Sequence, residues 1–162
     1  LKLSRGLGDV YKRQAKRPQG NDRAQIKSIF SGECKIIIIN HYYYGKLSYS
    51  DNDDHKKWAN AVKIIFPNQS KNDRGAHINI SGGGIVKYSK RKNEAIKFLE
   101  FLVSEEAQKL YANVNYEYPI NDKFERPIKL KKLGNFKEDK LYIEDIAKLA
   151  PKAQEIIDIV YW

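Results

Sequence analysis

Residues 35–44 read Lys-Ile-Ile-Ile-Ile-Asn-His-Tyr-Tyr-Tyr. A continuous β-branched run of this kind predicts a strand buried on both faces, over residues 34–39. The run stops abruptly at Asn40, so the polar and aromatic cluster that follows sits where the strand must emerge. Phenolates are hard oxygen donors. Two of them side by side at a strand end fit a hard trivalent cation such as Fe(3+). From the residues alone, packing of the aromatic run at a helix start on the sheet is the plainer account, since such runs are more often core than ligand.

The strand does not stand alone. Asn21 or Asp22 in Pro-Gln-Gly-Asn-Asp is a helix N-cap, Ile26, Ile29 and Phe30 follow helical spacing, and Gly32 ends the helix. A short helix is expected over 41–49, a polar loop over 50–57, helix again over 58–61, and a second strand over 62–66, stopped by Pro67. Residues 85–88 read as a further strand behind Gly82-Gly83-Gly84. Ala95, Ile96, Phe98, Leu99 and Leu102 mark an amphipathic helix over 93–103. Ser104 caps the next helix, whose apolar side is expected from Ala107, Leu110 and Tyr111. Residues 115–121 are extended around Pro119, 134–139 form a loop, and Pro151 fits the first turn of a final helix. Alternation of strands and helices predicts an α/β fold with a mostly parallel sheet. Ligands of such sheets bind at the carboxyl ends of strands, which is where residues 40–44 lie.

The 162 residues are enough for one compact domain. No window approaches the roughly 20 apolar residues of a membrane helix. Cys34 is the only cysteine, so an internal disulfide and a cysteine-rich zinc module are excluded. The net charge of +10 comes from lysines scattered through the helices, which favours a generally basic surface over a nucleic-acid footprint. Leu1 to Gln14 carry no clean period and no secretory apolar core. They read as a non-native or disordered tail.

Each remaining candidate has a plain alternative. His41 is a ligand, a donor that orients a phenolate, or a surface residue. Tyr44 is packing, because three successive helical residues cannot face one point. The triple glycine reads as a tight backbone approach before a strand, not a phosphate loop. Arg74, His77 and Asn79 bind an anion or simply bond their loop. The run Asp-Asn-Asp-Asp-His ending at His55 lacks the glycine and distal glutamate of a calcium loop and reads as solvated. No serine or cysteine has a base by sequence, and no enzyme activity is expected.

Several stretches carry a family resemblance: Arg-Pro-Gln-Gly-Asn-Asp (17–22), Asn-His-Tyr-Tyr (40–43), Phe-Pro-Asn-Gln (66–69), Arg-Gly-Ala-His-Ile-Asn-Ile-Ser-Gly (74–82), Phe-Leu-Val-Ser-Glu-Glu-Ala-Gln (101–108) and Asn-Tyr-Glu-Tyr-Pro-Ile-Asn (115–121). With them, residues 15–162 resemble the C-terminal half of the bacterial periplasmic ferric-iron-binding proteins, substrate-binding components of ABC iron importers. The resemblance implies a partial type 2 periplasmic-binding-protein fold, half of a two-lobe architecture that closes by a hinge. It implies Fe(3+) as cargo, held by Tyr42 and Tyr43, and places Asn40 where some members help hold a synergistic anion. His41 stands between them without an assigned role. The family's other ligands, a third tyrosine and often a histidine, are expected upstream of Ala15. The implied partners are ferric ion and an inner-membrane ABC permease, with no nucleic acid. The implied setting is a monomer in the periplasm or a lipoprotein-like extracytoplasmic state, with the signal peptide outside this chain. Two rivals remain: a solute-binding protein for another ligand, such as an organic anion or polyamine, and a basic nucleic-acid-binding domain.

Overall fold

Asn21 caps the first described helix by accepting a hydrogen bond from the Ala24 amide at 3.1 Å, which satisfies one of the donors that a helix start leaves free. The structure is a computed structural model that describes residues 20–160. The tail expected over 1–14, the first part of the 17–22 motif and the two terminal aromatic residues lie outside the described residues. Helix α1 spans Asp22–Phe30 and ends before Gly32, whose φ of +74° is the left-handed turn that glycine adopts without steric cost. Residues 35–39 run extended into α2, His41–Ser48. Then α3, Asp53–Asn60, starts on Asn52, whose side chain accepts from the Asp54 and His55 amides. The expected polar loop over 50–57 is therefore shorter. Asp53 and Asp54 form the first turn of α3, where acidic side chains suit the positive helix end.

These three helices pack on one another around Ile26, Leu47 and Ala59, with Ile37, Ile39, Tyr44, Trp58 and Val62 against them. Tyr44 is thus core, as its position on the helix predicts. A second cluster gathers Ala112, Tyr116 and Leu130, with Tyr42, Tyr118 and Leu133 packed on it. It draws on α5 (Glu105–Val114) and α6 (Ile128–Lys131). Helix α4, Lys92–Leu102, precedes α5, and Ser104 caps α5 by accepting from the Ala107 amide. Helix α7 spans Ile143–Val160.

The expected strands over 34–39 and 62–66 form no ladder among the described residues, and the one expected over 85–88 gives way to a turn at 87–88, in which the Ser89 amide donates to the Val86 carbonyl. The isoleucine run is not buried on both faces. Ile37 and Ile39 pack on the helices, while Ile36 and Ile38 are 84% and 81% exposed. The period of two is present, but only the inward face has a partner. The one β-bridge among the described residues is parallel, between Ala76 and Glu138. It is stapled by Gln69, whose side-chain amide donates to the Lys137 carbonyl and accepts from the Lys137 amide. At Gly75, with φ of +100°, a Cβ would overlap the Glu138 carbonyl, so only glycine lets the two segments meet.

Three further expectations are corrected. Pro151 lies inside α7, not in its first turn, because the helix-forming stretch from Ile143 to Ala150, opened by Glu144 and Asp145, carries the helix up to and past it. The buried side of α5 is Ala107, Gln108 and Ala112, whereas Leu110 and Tyr111 are exposed. Gln108 is buried because its side-chain amide donates to the Leu102 carbonyl at 2.8 Å and accepts from the Ile120 amide at 2.9 Å. Finally, α4 buries none of its apolar residues completely, and Ile96 and Phe98 are exposed.

Candidate metal centre

Tyr42 and Tyr43 occupy the first turn of α2, immediately after the extended segment that the isoleucines form. Both are half-buried. Their ring centroids lie 4.6 Å apart at an interplanar angle of 41°. Burial pushes the Tyr42 phenol above its ordinary pKa, and the Tyr43 phenol, by charge and by hydrogen bond, then the Asp22 and Glu117 carboxylates push in the same direction. The paired rings thus share one helix turn, in surroundings to which the Asp22 and Glu117 carboxylates add negative charge. In the metal-free state that surrounding holds Tyr42 protonated. Toward a trivalent cation the same surrounding is attractive.

Tyr44 turns away into the α1–α3 core, and the helix is the reason. Successive residues are about 100° apart around the axis, so the neighbouring pair can share a face that the third cannot.

Asn40 is the N-cap residue of α2, yet its side chain makes no capping bond. Its backbone amide and its side-chain amide both donate to one oxygen of Asp22, at 3.0 and 3.2 Å. This fork ties the start of α2 to the start of α1. His41 reaches the opposite way. Its Nε2 lies 2.8 Å from the Tyr116 carbonyl. A carbonyl only accepts, so the imidazole proton sits on Nε2. Burial lowers the His41 pKa, against smaller upward pulls from the Tyr116 hydrogen bond and Glu117. The ring also lies 4.9 Å from Tyr118.

Residues 116–118 complete the surroundings. Glu117 accepts a hydrogen bond from the Ser81 hydroxyl at 3.2 Å. Tyr118 is raised in pKa by burial, which the nearby Arg126 guanidinium partly offsets, and its buried hydroxyl has no hydrogen-bond partner among the described residues. No local pattern links these residues to 40–43, and Asp22 is likewise distant in sequence. The signal for them was the Tyr-Glu-Tyr-Pro stretch and the Asn-Asp pair, both present in the resemblance but without a role.

Other candidates fall away from the site. Arg74 is paired with Asp139 at 2.6 Å, so it ties its loop to the segment that the Ala76–Glu138 bridge joins to it. His77 and Asn79 are exposed. His55 Nδ1 pairs with the Ser50 hydroxyl at 3.0 Å in the first turn of α3. A Cβ on Gly83 would come 3.1 Å from the end of the Leu99 side chain in α4, whereas Gly82 and Gly84 have open space around them, so the tight approach expected of the glycine triplet is found at Gly83 alone. Among the described residues no three His, Cys, Asp or Glu side chains gather around a possible metal.

A family model described as bacterial extracellular solute-binding protein matches residues 8–109. The chain belongs to this family. It is a family of binding proteins, so its members carry a solute rather than transform one. The chain is 39% identical over 148 residues to iron uptake protein A1 of Synechocystis, covering 91% of this chain and 41% of that protein. Among solved structures it superimposes on the ferric binding protein from Campylobacter jejuni with a TM-score of 0.83 and 42% identity, covering 90% of this chain and 46% of that one. A Trichodesmium protein in complex with iron and citrate ligands matches with a TM-score of 0.84 and 43% identity over 91% of this chain and 46% of its own. The fold is therefore that of ferric-binding solute-binding proteins, and the chain spans about half the length of the relatives it matches.

Proposed function

We propose that this chain contributes one wall of a ferric-ion site and that its protein is the Fe(3+)-binding, substrate-binding component of an ABC iron importer. The observation that carries this reading is the pairing of the Tyr42 and Tyr43 rings, 4.6 Å apart in the first turn of α2, where Asp22 and Glu117 add negative charge. The printed names of the Synechocystis and Campylobacter relatives support iron as the cargo. Fe(3+) would take both phenols as phenolates and release their protons, since a trivalent charge strongly favours phenolate over phenol. Two phenolates do not complete a ferric coordination sphere. The remaining positions fall to other donors, among them the third tyrosine and histidine that the resemblance implies, and to a synergistic anion. For the anion, support comes from the citrate in the Trichodesmium complex and from the first turn of α2, which Asn40 leaves without a side-chain cap.

The rest of the proposal follows the family. The extended segments at 34–39 and 62–66 are strands of an α/β sheet, which their alternating exposure supports. Residues 15–162 belong to both lobes of a periplasmic or lipoprotein-anchored monomer. The lobes close by a hinge, and the loaded form docks on a membrane permease rather than on nucleic acid.

Competition for Fe(3+) against nitrilotriacetate tests the site. The wild-type chain binds, and Tyr42→Phe and Tyr43→Phe each weaken binding by more than the roughly 10–100-fold typical of partners outside the coordination sphere. If both variants bind as tightly as wild type, the tyrosines are packing and the solute is something else, such as an organic anion or polyamine.

A further inference from the structure

The Tyr-Glu-Tyr-Pro stretch, distant from α2 in sequence, has a physical task that ligation does not supply. Tyr116 follows Asn115, the C-cap of α5, and has φ of +61°. That position usually takes glycine, and a bulky side chain there is strained unless its surroundings hold it. Here they do, and the residue they hold touches α2 along its whole length. The Tyr116 carbonyl accepts from His41 Nε2 at 2.8 Å, at the first residue of the helix. The Tyr116 ring lies on Gly45, so close that a Cβ there would be 2.6 Å from the ring's Cγ. The same ring stacks on Tyr49, the C-cap of α2, at 5.5 Å and 15°. Lys129 from α6 closes the far side, with its ammonium 4.6 Å from the Tyr49 ring centroid and 5.3 Å from that of Tyr116. One buried residue thus grips the start, middle and end of the helix that carries Tyr42 and Tyr43, through backbone and ring together.

We propose that Tyr116 is a positioning residue for the Tyr42–Tyr43 pair: acting through His41 and Gly45, it sets the rotation and depth of α2 and so the direction in which the two phenols present their oxygens. This inference rests on the ferric reading of the pair. Glycine would satisfy the backbone at 116 but would give up the ring contact, and an ordinary residue in a helical or extended conformation would give up the carbonyl. That accounts for an aromatic residue in a left-handed conformation beside this site.

The test titrates the chain with Fe(3+), supplied as the nitrilotriacetate complex, and reads affinity, the maximum of the phenolate-to-iron absorption band, and the melting temperature. The variants are Tyr116→Gly, which keeps the backbone and removes the ring, Tyr116→Phe, which keeps both, His41→Phe, which keeps a ring and removes the donor, and His41→Gln, which restores a donor. Tyr116→Gly and His41→Phe are expected to lose roughly 10–100-fold in affinity and to move the band maximum, measured well below their melting temperatures. Tyr116→Phe and His41→Gln are expected to recover most of both. Wild-type affinity and an unmoved band in Tyr116→Gly and His41→Phe, with only their melting lowered, overturn the positioning role while leaving the ferric site standing. A wild-type chain without a band overturns the ferric reading, and the positioning role with it.

Discussion

Replacing Gly45 by alanine sets two effects of opposite sign against each other. In an ordinary helix interior the change stabilises by about 1 kcal/mol, because glycine forfeits more chain entropy on folding. At this position the new methyl would lie 2.6, 2.8 and 3.0 Å from Cγ, Cβ and Cδ2 of Tyr116. Those atoms have little room to retreat: Tyr116 is 7% exposed, its ring is stacked on Tyr49, and its backbone is held at φ +61°. Overpacking of this kind costs about 1–3 kcal/mol, and rigid surroundings put the cost at the upper end. The clash therefore wins, with a net loss of about 1–2 kcal/mol. With a urea slope of about 2 kcal/mol/M, the midpoint falls by roughly 0.5–1 M. The cycle with Tyr116→Gly isolates the contact: once the ring is gone, Gly45→Ala should stabilise as it does in other helices. A Gly45→Ala chain with a higher midpoint than wild type, in the presence of Tyr116, would refute the reasoning.

Iron uptake by the pair should release protons, and in weakly buffered solution Tyr42→Phe should release about one fewer per bound Fe(3+) than wild type; equal release would mean Tyr42 is not deprotonated. His41 has a folded-state pKa lowered by burial from 6.5, so its contribution to stability is present above about that pH and is lost as pH falls through the lower folded value. The urea midpoint of wild type should accordingly drop on acidification in that window more than the midpoint of His41→Gln, and parallel pH curves would contradict this. Gln108→Ala leaves the Leu102 carbonyl and the Ile120 amide without their partner and should cost about 1–3 kcal/mol in thermal or urea melting.

Local signals were legible in the sequence wherever one residue decides a local structure. Asn21 and Ser104 cap their helices, Gly32 turns the chain after α1, and Tyr44 points into the core because its neighbours already use the other face. Position 40–44 at the end of an extended apolar run was legible for the same reason. What the sequence hid depends on partners. Ile36 and Ile38 differ from Ile37 and Ile39 only in what covers them, so four identical residues gave no sign of which would be exposed. Leu110 reads as core until Gln108 and Ala112 are seen to face inward, a polar side chain being buried there because two backbone groups need it. The surroundings of the tyrosine pair were hidden by distance along the chain. Asp22 and Tyr116–Tyr118 reach α2 only through the packing of α1, α5 and α6, and the left-handed backbone at Tyr116 contradicts its residue type.

The visible spectrum of the chain loaded with Fe(3+) tests the central claim most directly. A phenolate bound to ferric iron gives a charge-transfer absorption that neither a packed tyrosine nor adventitious iron on carboxylates produces. The account predicts this band in wild type, a weakened and shifted band in Tyr42→Phe and in Tyr43→Phe, and none from this pair in the double variant. Loss of the band only in the double variant, with both single variants unchanged, would contradict joint ligation by the pair, and a loaded wild-type chain without the band would contradict the ferric site altogether.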